Sequence, residues 1–447
     1  MSDLGSSSHA PLYELDEVAA AIRRAIAPAG DGWALLWAAA PTALLDHAPA
    51  STTPSGWWHA TRGSSRTLLA AFGRGRGSTL TSVGDVLFAY EGANPAATLQ
   101  PVIDGLARAW GTAAVSHAVR PTVPLLAAGL RDLRHAERAA ARELPAGVPE
   151  SLARALHAAV RARARAAVAL DSVRPRLVVL ASQHSTSSRA LIRAARERGI
   201  PTAYLPHAPA ADTYQYRDLP TDFAGVRGER EVDFYRSLGA ARDVSIVGNP
   251  QASVQPPAAL DPSRPAIYAP RPQALEHVRA QVAAIDAAAP AVVVSPHPRM
   301  RGKARYEGLW PAHWKVHDGW TVELLRDGFP CIIQCSSGVA WEAMAHGVPV
   351  IELSSESAEP PAYLVIREPF ALVCRSGEAL VAAVADARRA AADPAARERL
   401  MGWAREWCAA TGEEAVARAA AWVEECAVAG DPGGALLDHW APALGAA

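Results

Sequence analysis

Three stretches of the chain carry side chains able to bind or move charge. In Ser295-Pro296-His297-Pro298-Arg299, two prolines stiffen a turn around an imidazole, and Arg301, Lys303 and Arg305 follow closely. Guanidinium groups grip phosphate oxygens through paired hydrogen bonds, so this run suits a polyanionic ligand. In Cys335-Ser336-Ser337-Gly338, two hydroxyl side chains and a glycine precede a helical segment. Ser336 is a natural N-cap there, and free backbone N–H groups at the positive end of the helix dipole suit a phosphate. Ordinary capping is the structural alternative. In Tyr204-Leu205-Pro206-His207-Ala208-Pro209, a second histidine follows an apolar run. A neutral imidazole with a pKa near about 6.5 can accept a hydroxyl proton at neutral pH, which makes His207 a candidate general base. Its alternative is a histidine that only shapes a turn. Phe72-Gly73-Arg74-Gly75-Arg76-Gly77 is glycine-rich but lacks a following capped helix, and it reads as a flexible loop.

These residues need elements that end beside one another. Ser6 to Ser8 reads as a mobile leader, and apolar runs at Trp33 to Ala40, Leu69 to Phe72 and Asp85 to Tyr90 read as strands set among Gly-rich and Ser/Thr-rich turns. Pro121 to Leu170 has helical spacing, broken near Pro145 to Pro149 into two helices. From Leu177 the pattern sharpens into βαβ units. Strands are expected at Leu177 to Leu180, Thr202 to Leu205, Asp222 to Val226 and Val244 to Val247, with helices at Ser187 to Arg198 and Glu229 to Leu238. Residues 250 to 265 hold five prolines and little periodicity, the composition of an interdomain linker. A second series follows, at Ala266 to Ala269, Ala291 to Ser295, Cys331 to Gln334, Val348 to Leu353 and Ala371 to Cys374. The expected fold class is α/β, with two Rossmann-like doubly wound domains facing a central cleft. The expected division is 1–255 and 256–447, with the last helices packing back on the N-terminal domain. In open α/β sheets ligands bind at the carboxyl ends of the strands, where His207, His297 and Ser336 all fall.

Composition narrows the class further. The chain has 447 residues, 50% hydrophobic and 20% charged, and 44 basic residues nearly cancel 45 acidic ones for a net charge of -1. That balance argues against a nucleic-acid binder and against a disordered chain. Met1 to Ala10 lacks the pattern of a signal peptide, and no run of 18 apolar residues occurs, so a soluble cytoplasmic protein is expected. Residues 131 to 176 hold ten arginines against five acids, read as a solvated helix face with peripheral membrane contact as the alternative. Cysteines 331, 335, 374, 408 and 426 form no CxxC pair, which suits a reducing compartment and buried thiols rather than a metal site.

The order of motifs over about residues 177 to 353 resembles GT-B glycosyltransferases. The nearest branch in pattern is that of CDP-glycerol glycerophosphotransferases, capsule Kdo transferases and bacterial polysialyltransferases. The elements carrying the resemblance are Arg189 to Pro201 leading into Leu205-Pro206-His207, Asp222 to Glu229, Gly248-Asn249-Pro250, Tyr268-Ala269-Pro270, Pro296-His297-Pro298, and Ser336-Ser337 through Glu342 to Pro349. The resemblance implies that the C-terminal domain holds a nucleotide-activated donor. It places His297, Ser336, Ser337 and Gly338 on the donor phosphates, assisted by Arg271 and Arg299, and Glu342 on the ribose. The N-terminal domain would bind a hydroxyl-bearing acceptor, with His207 as catalytic base. Two positions depart from the pattern: Ala208 stands where a glycine follows the histidine, and Gln334 stands where many retaining enzymes carry a second glutamate eight residues before Glu342. The implied reaction is therefore sugar transfer by an inverting, metal-independent displacement, with no cofactor beyond the nucleotide-sugar itself. Glycerophosphate transfer, nonhydrolysing UDP-sugar 2-epimerisation and a catalytically silent nucleotide-binding protein are the alternatives.

Changing His297→Ala is expected to weaken nucleotide binding. Calorimetry with CMP, CDP and UDP checks this, and unchanged affinity for all three would reject the role.

Overall fold

Aliphatic and β-branched runs bounded by glycine, proline and asparagine make the central strands, which are buried on both faces as parallel strands between helical layers must be, whereas the edge strands are partly or wholly exposed. The computed structural model describes residues 79–129, 131, 133–134, 149–212, 216, 219–238, 243–272, 275–289, 291–353, 363–367, 369–374 and 377–429. The expected leader at Ser6 to Ser8, the strands at Trp33 to Ala40 and Leu69 to Phe72, the loop at Phe72 to Gly77 and most of the helix break near Pro145 to Pro149 lie outside them.

The first sheet contains β1 (Thr79–Val83), β2 (Val86–Tyr90), β3 (Ala114–His117), β4 (Leu177–Leu180), β5 (Thr202–Tyr204), β6 (Phe223–Val226) and β7 (Asp243–Ile246), in the order β3-β1-β2-β4-β5-β6-β7. From β2 through β7 the pairs are parallel, whereas β1 runs antiparallel to both β2 and β3. The sheet is thus mixed, with its antiparallel pairs confined to the edge that β1 and β3 form. The segment Thr79 to Val83 carries the composition of a turn, but Val83 pairs with Val86 around Gly84, whose φ is 55°, in a two-residue hairpin. Its buried hydroxyls find partners, Ser82 Oγ lying 2.8 Å from His117 Nε2 and Thr81 Oγ1 lying 3.4 Å from Tyr90 Oη.

Helices α1 (Ala93–Trp110), α2 (Pro149–Val173), α3 (Thr186–Arg196) and α4 (Glu229–Ser237) accompany this sheet. The arginine-rich α2 lies along α3, joined to it by Arg163 to Glu197 at 2.9 Å and Asp171 to Arg198 at 2.7 Å. Across this seam Arg163 of α2 meets an acid just past α3, and Asp171 of α2 meets Arg198 in return.

The second sheet contains β8 (Ala266–Ala269), β9 (Val292–Val294), β10 (Lys315–Val316), β11 (Ile332–Gln334), β12 (Val350–Leu353) and β13 (Ala371–Cys374), all parallel, in the order β10-β9-β8-β11-β12-β13. Counted from β8, that is the Rossmann order 3-2-1-4-5-6. Helices α5 (Leu275–Ala288) and α8 (Gly377–Ala392) cover one face, and α6 (Thr321–Arg326), α7 (Val339–Ala345) and α9 (Pro394–Trp407) the other.

The chain crosses between the sheets twice, side by side. Asn249 N–H donates to Ala410 O at 2.8 Å, and Gly412 N–H donates to Ala252 O at 2.7 Å. After the second crossing, α10 (Gly412–Ala429) buries Ala419, Trp422, Val423 and Cys426 among Leu99, Ile103, Leu177 and Val179 of the first sheet's core. The crossing is tight enough to require glycine. A Cβ at Gly228 would lie 2.7 Å from the carbonyl carbon of Trp407 and 2.8 Å from the Cys408 nitrogen, backbone that cannot swing aside.

Gly228→Ala is therefore expected to destabilise the fold by about 1–3 kcal/mol, as overpacking of a filled core does. Gly377→Ala, where an added Cβ meets nothing within 4 Å, should stay within about 0.5 kcal/mol of the parent. Urea unfolding of both variants checks the contrast.

Candidate active site at the facing strand ends

In the second sheet the strand order reverses between β8 and β11, so the connections leaving these neighbours depart to opposite faces and leave a crevice at their carboxyl ends. Arg271 follows β8 there, and its Nη1 donates to Ser336 O, just past β11, at 3.3 Å. His297, past β9, is held against the same edge by donation from its backbone N–H to Pro270 O at 3.1 Å. The reversal thus brings Arg271, His297 and Ser336 to one edge. His297 Nδ1 accepts from the Arg299 backbone N–H at 3.1 Å, so the neutral ring carries its hydrogen on Nε2, as a donor. Burial, and then Arg299, Arg301 and Arg271, lower its pKa below the usual histidine value.

The basic run after His297 divides. Arg299 is exposed at the edge, whereas Arg301 commits its guanidinium to the carbonyls of Pro296, Asp318 and Gly319, and Arg305 lies over the Tyr306 ring at 4.6 Å. The expectation that the whole run serves the cleft is corrected for Arg301, whose side chain holds the turn itself, while Arg305 lies against its neighbour's ring.

The serine turn also differs from its reading. The N-cap of α7 is Gly338, not Ser336, and no side chain caps it. Ser336 sits in the left-handed region at φ 42°, a conformation that costs a non-glycine residue about 1–3 kcal/mol and needs support. Glu352 on β12 supplies that support: its Oε1 accepts from Ser336 N–H at 2.7 Å and Ser336 Oγ at 3.3 Å. Gln334, which faces Glu352 in register, donates to Glu352 Oε2 and accepts the Ser337 N–H at 2.6 Å on its own Oε1. The backbone donors of Ser336 and Ser337 are therefore taken up inside the protein, and the free N–H array expected for a phosphate is not formed there. Burial pushes the Glu352 carboxyl up to about 8, against three hydrogen bonds that favour its charged form.

Facing this edge is the carboxyl edge of β4, β5 and β6. Past β5, His207 Nδ1 donates to Ala181 O at 2.6 Å, which leaves Nε2 as the acceptor. Burial, with Arg227 and Arg299 adding to it and the Ala181 bond opposing, draws its pKa down to about 4. The His184 ring stands 6.2 Å from His207 and 5.5 Å from Tyr216, with its pKa brought to about 3 by burial and then by His207 and Arg189. Past β6 comes Arg227, followed by Glu231, whose two carboxylate oxygens accept from the N–H groups of Ala210 at 2.9 Å and Arg227 at 3.0 Å.

The two edges touch. Pro209 Cδ lies 3.1 Å from where a Cβ on Gly338 would stand, and Leu364 N–H donates to Ala210 O at 3.1 Å. Glu342, half-buried on α7, has its carboxyl raised above the usual range by burial, with Arg227 and Arg326 opposing the rise. A cavity of about 150 Å³ lies elsewhere, between α2 and α3, lined by Val160, Arg163, Ala167, Ala194 and Glu197, far in the fold from these strand ends. Among the described residues no group of three or more His, Cys, Asp or Glu side chains is placed to hold a metal, and no helix is long and apolar enough to cross a membrane.

Arg227, His184, Gln183, Glu231 and Glu352 were not singled out from sequence. Their common signal is position: each lies on, or within five residues after, a strand that ends at the cleft. Among the cysteines, burial pushes Cys331 and Cys408 up to about 12, so they pack as inert thiols.

Among solved structures, the chain is similar to the GtfA/B complex at 13% identity and a TM-score of 0.38, over 59% of this chain and 60% of that one. It is similar to CalG4, the calicheamicin glycosyltransferase, at 18% identity and 0.39, over 77% and 96%. It is also similar to the UDP-GlcNAc 2-epimerase from Neisseria meningitidis bound to UDP-GlcNAc, at 13% identity and 0.40, over 61% and 81%. No protein-family model matches the chain, and no curated protein does.

The Glu352 carboxyl generates a pH prediction with a definite sign. Unfolded, it releases its proton near 4.5, the ordinary value for glutamate; folded, it does so only near 8. Between those values the native state holds more protons, so this group's contribution to stability falls as pH rises. In urea unfolding between pH 5 and 8, the stability of the parent relative to Glu352→Gln is expected to fall by a few kcal/mol, on the order of the linkage for such a shift. A flat difference would show the carboxyl to be ionised throughout.

Proposed function

We propose that the protein transfers a sugar from a nucleotide-activated donor to an acceptor hydroxyl, with the donor's phosphates at the strand-order reversal of the second sheet and the acceptor against the first. The observation that carries this reading is the pair of imidazoles held in opposite tautomers on facing edges. His297 presents Nε2–H, a donor suited to a phosphate oxygen, and His207 presents an unprotonated Nε2, an acceptor suited to a hydroxyl.

In the proposed reaction, the acceptor hydroxyl yields its proton to His207 Nε2 as its oxygen attacks the sugar's anomeric carbon. The bond from that carbon to the phosphate oxygen breaks, and the electron pair leaves with the nucleotide. Arg271 and His297 Nε2–H receive the developing charge, and preorganised donors of this kind lower barriers by roughly a few kcal/mol. The His207 ring has a low proton affinity partly because Arg227 and Arg299 bear on it. An anionic donor beside those arginines offsets their field, so the ring becomes a better base once the donor is bound. Behind it, Gln183 is fully buried with both amide atoms unpartnered and His184 Nδ1 also lacks a partner, so polar groups back the place where a hydroxyl-rich acceptor would lie.

A 2-epimerase needs acidic groups free to work in the cleft. Glu231 and Glu352 are both committed to holding loops through hydrogen bonds, which favours transfer over epimerisation.

His207→Ala is expected to keep donor binding and to lower kcat by about 10²–10⁴-fold, the range for loss of a general base. The acid limb of kcat/KM, which reports the free enzyme, should lie near pH 4 rather than at the usual histidine value. Full turnover by the variant would remove His207 as the base, and an epimer formed from a UDP-sugar without acceptor would replace transfer with epimerisation.

A further inference from the structure

Arg227 follows β6 at the cleft edge of the first sheet and is only 2% exposed. A guanidinium so enclosed is ordinarily sustained by a carboxylate or by a set of acceptors for its five N–H groups. Here two carboxyls, those of Glu231 and Glu342, lie within electrostatic reach, but neither is paired with it. Among the described residues no ion pair includes Arg227, its guanidinium makes no hydrogen bond, and its Nε is buried without a partner. Glu231, four residues on, has both carboxylate oxygens on backbone N–H groups. The guanidinium carbon lies 5.9 Å from the ring centroid of Trp341, which belongs to α7 of the other lobe, at the outer limit of a cation–π contact. That contact does not replace the lost hydration of a buried cation.

The second observation is where this cation stands. Burial raises the pKa of Tyr363, and the two guanidinium groups that oppose the rise are Arg271 and then Arg227. Tyr363 itself bridges to Ala211, where the lobes touch. Arg227 thus comes from the acceptor side and Arg271 from the donor side, with Tyr363 within electrostatic reach of both. Arg271 Nε is likewise buried without a partner. Two cations with unfilled donors, one from each lobe, thus stand beside the start of α7, where Arg227 meets Trp341 and Arg271 donates to Ser336 O.

We propose that Arg227 is an oxyanion-binding residue that the first lobe brings to the phosphates of the donor, opposite Arg271, so that the anion is gripped from both sides when the lobes meet. This rests on the reading that a nucleotide-activated donor occupies the second sheet's crevice. The unfilled donors have a purpose in that arrangement: a phosphate supplies the acceptors that the protein withholds, and charge-assisted hydrogen bonds to it are the strong kind. Binding through Arg227 also requires the lobes to be together, which ties donor capture to closure.

The test uses the full chain, inorganic pyrophosphate and UDP as probes, and calorimetry with thermal shift as readouts. Arg227→Met is expected to lose at least about tenfold in affinity for pyrophosphate, the loss that follows from removing hydrogen bonds to a charged group. Arg227→Lys keeps the charge but loses the planar fork, so an intermediate loss is expected at an unchanged urea midpoint, and this variant carries the test if Arg227→Met fails to fold. Pyrophosphate affinity equal to the parent's in both variants would overturn the proposal, as would a parent with no affinity for pyrophosphate. The donor reading fails separately: a parent that binds pyrophosphate through Arg227 but no UDP, CDP or CMP keeps the anion site and loses the nucleotide. UDP bound equally by parent and Arg227→Met keeps the donor and removes Arg227.

Discussion

Where the parallel strands of the second sheet reverse their order, the chain leaves β8 toward one face and β11 toward the other, and no connection covers the edge between them. The rest of the site follows from that uncovered edge. Arg271 and Ser336 each lie two residues past one of the two diverging strands, and the hydrogen bond between them spans the gap. The turn at Ser336 must bend sharply to start α7, and it does so through a left-handed residue. Two adjacent strand residues, Gln334 and Glu352, face one another in register and hold that turn from beneath. A buried carboxyl is a costly support. It persists because it accepts a backbone donor that would otherwise be orphaned beneath the site.

The opposite edge is built from different material. Its polar groups include several without protein partners: the Gln183 amide, His184 Nδ1 and Arg227 Nε. In a folded interior such groups are rare, and clustering them at strand ends indicates a surface shaped for something other than self-packing. The contrast between the two edges is informative. On one, the Ser336 turn is held by Glu352 and Gln334, and among its described buried side-chain atoms only Arg271 Nε lacks a partner; on the other, several polar groups are left unpartnered where the lobes meet.

Much of the scaffold was legible because parallel strands in helical sandwiches read as short apolar runs. Leu177–Leu180, Ala266–Ala269 and Ala371–Cys374 lie where those runs predict. The Pro-His-Pro turn was legible too, since proline restricts the backbone locally. What escaped was non-local. Thr79–Val83 reads as a turn because its hydroxyls look solvent-seeking, and only pairing with Tyr90 and His117 makes them compatible with burial. Ser336 reads as a cap because nothing nearby in sequence announces that Glu352, sixteen residues later, takes its N–H. Arg227 is one of many arginines, and what distinguishes it is the absence of a partner, which no string of letters displays.

The final helix has a bearing on how the molecule comes into being. Because Trp422, Val423 and Cys426 are interior residues of the first lobe, that lobe's core contains residues made only after the whole second sheet. On the ribosome, strands β1 to β7 must wait with an apolar face uncovered while the whole second sheet is synthesised and begins to fold. The second lobe, whose core draws on no residue before Ala252, is free to assemble as soon as it emerges. The lobe translated first is thus the one completed last.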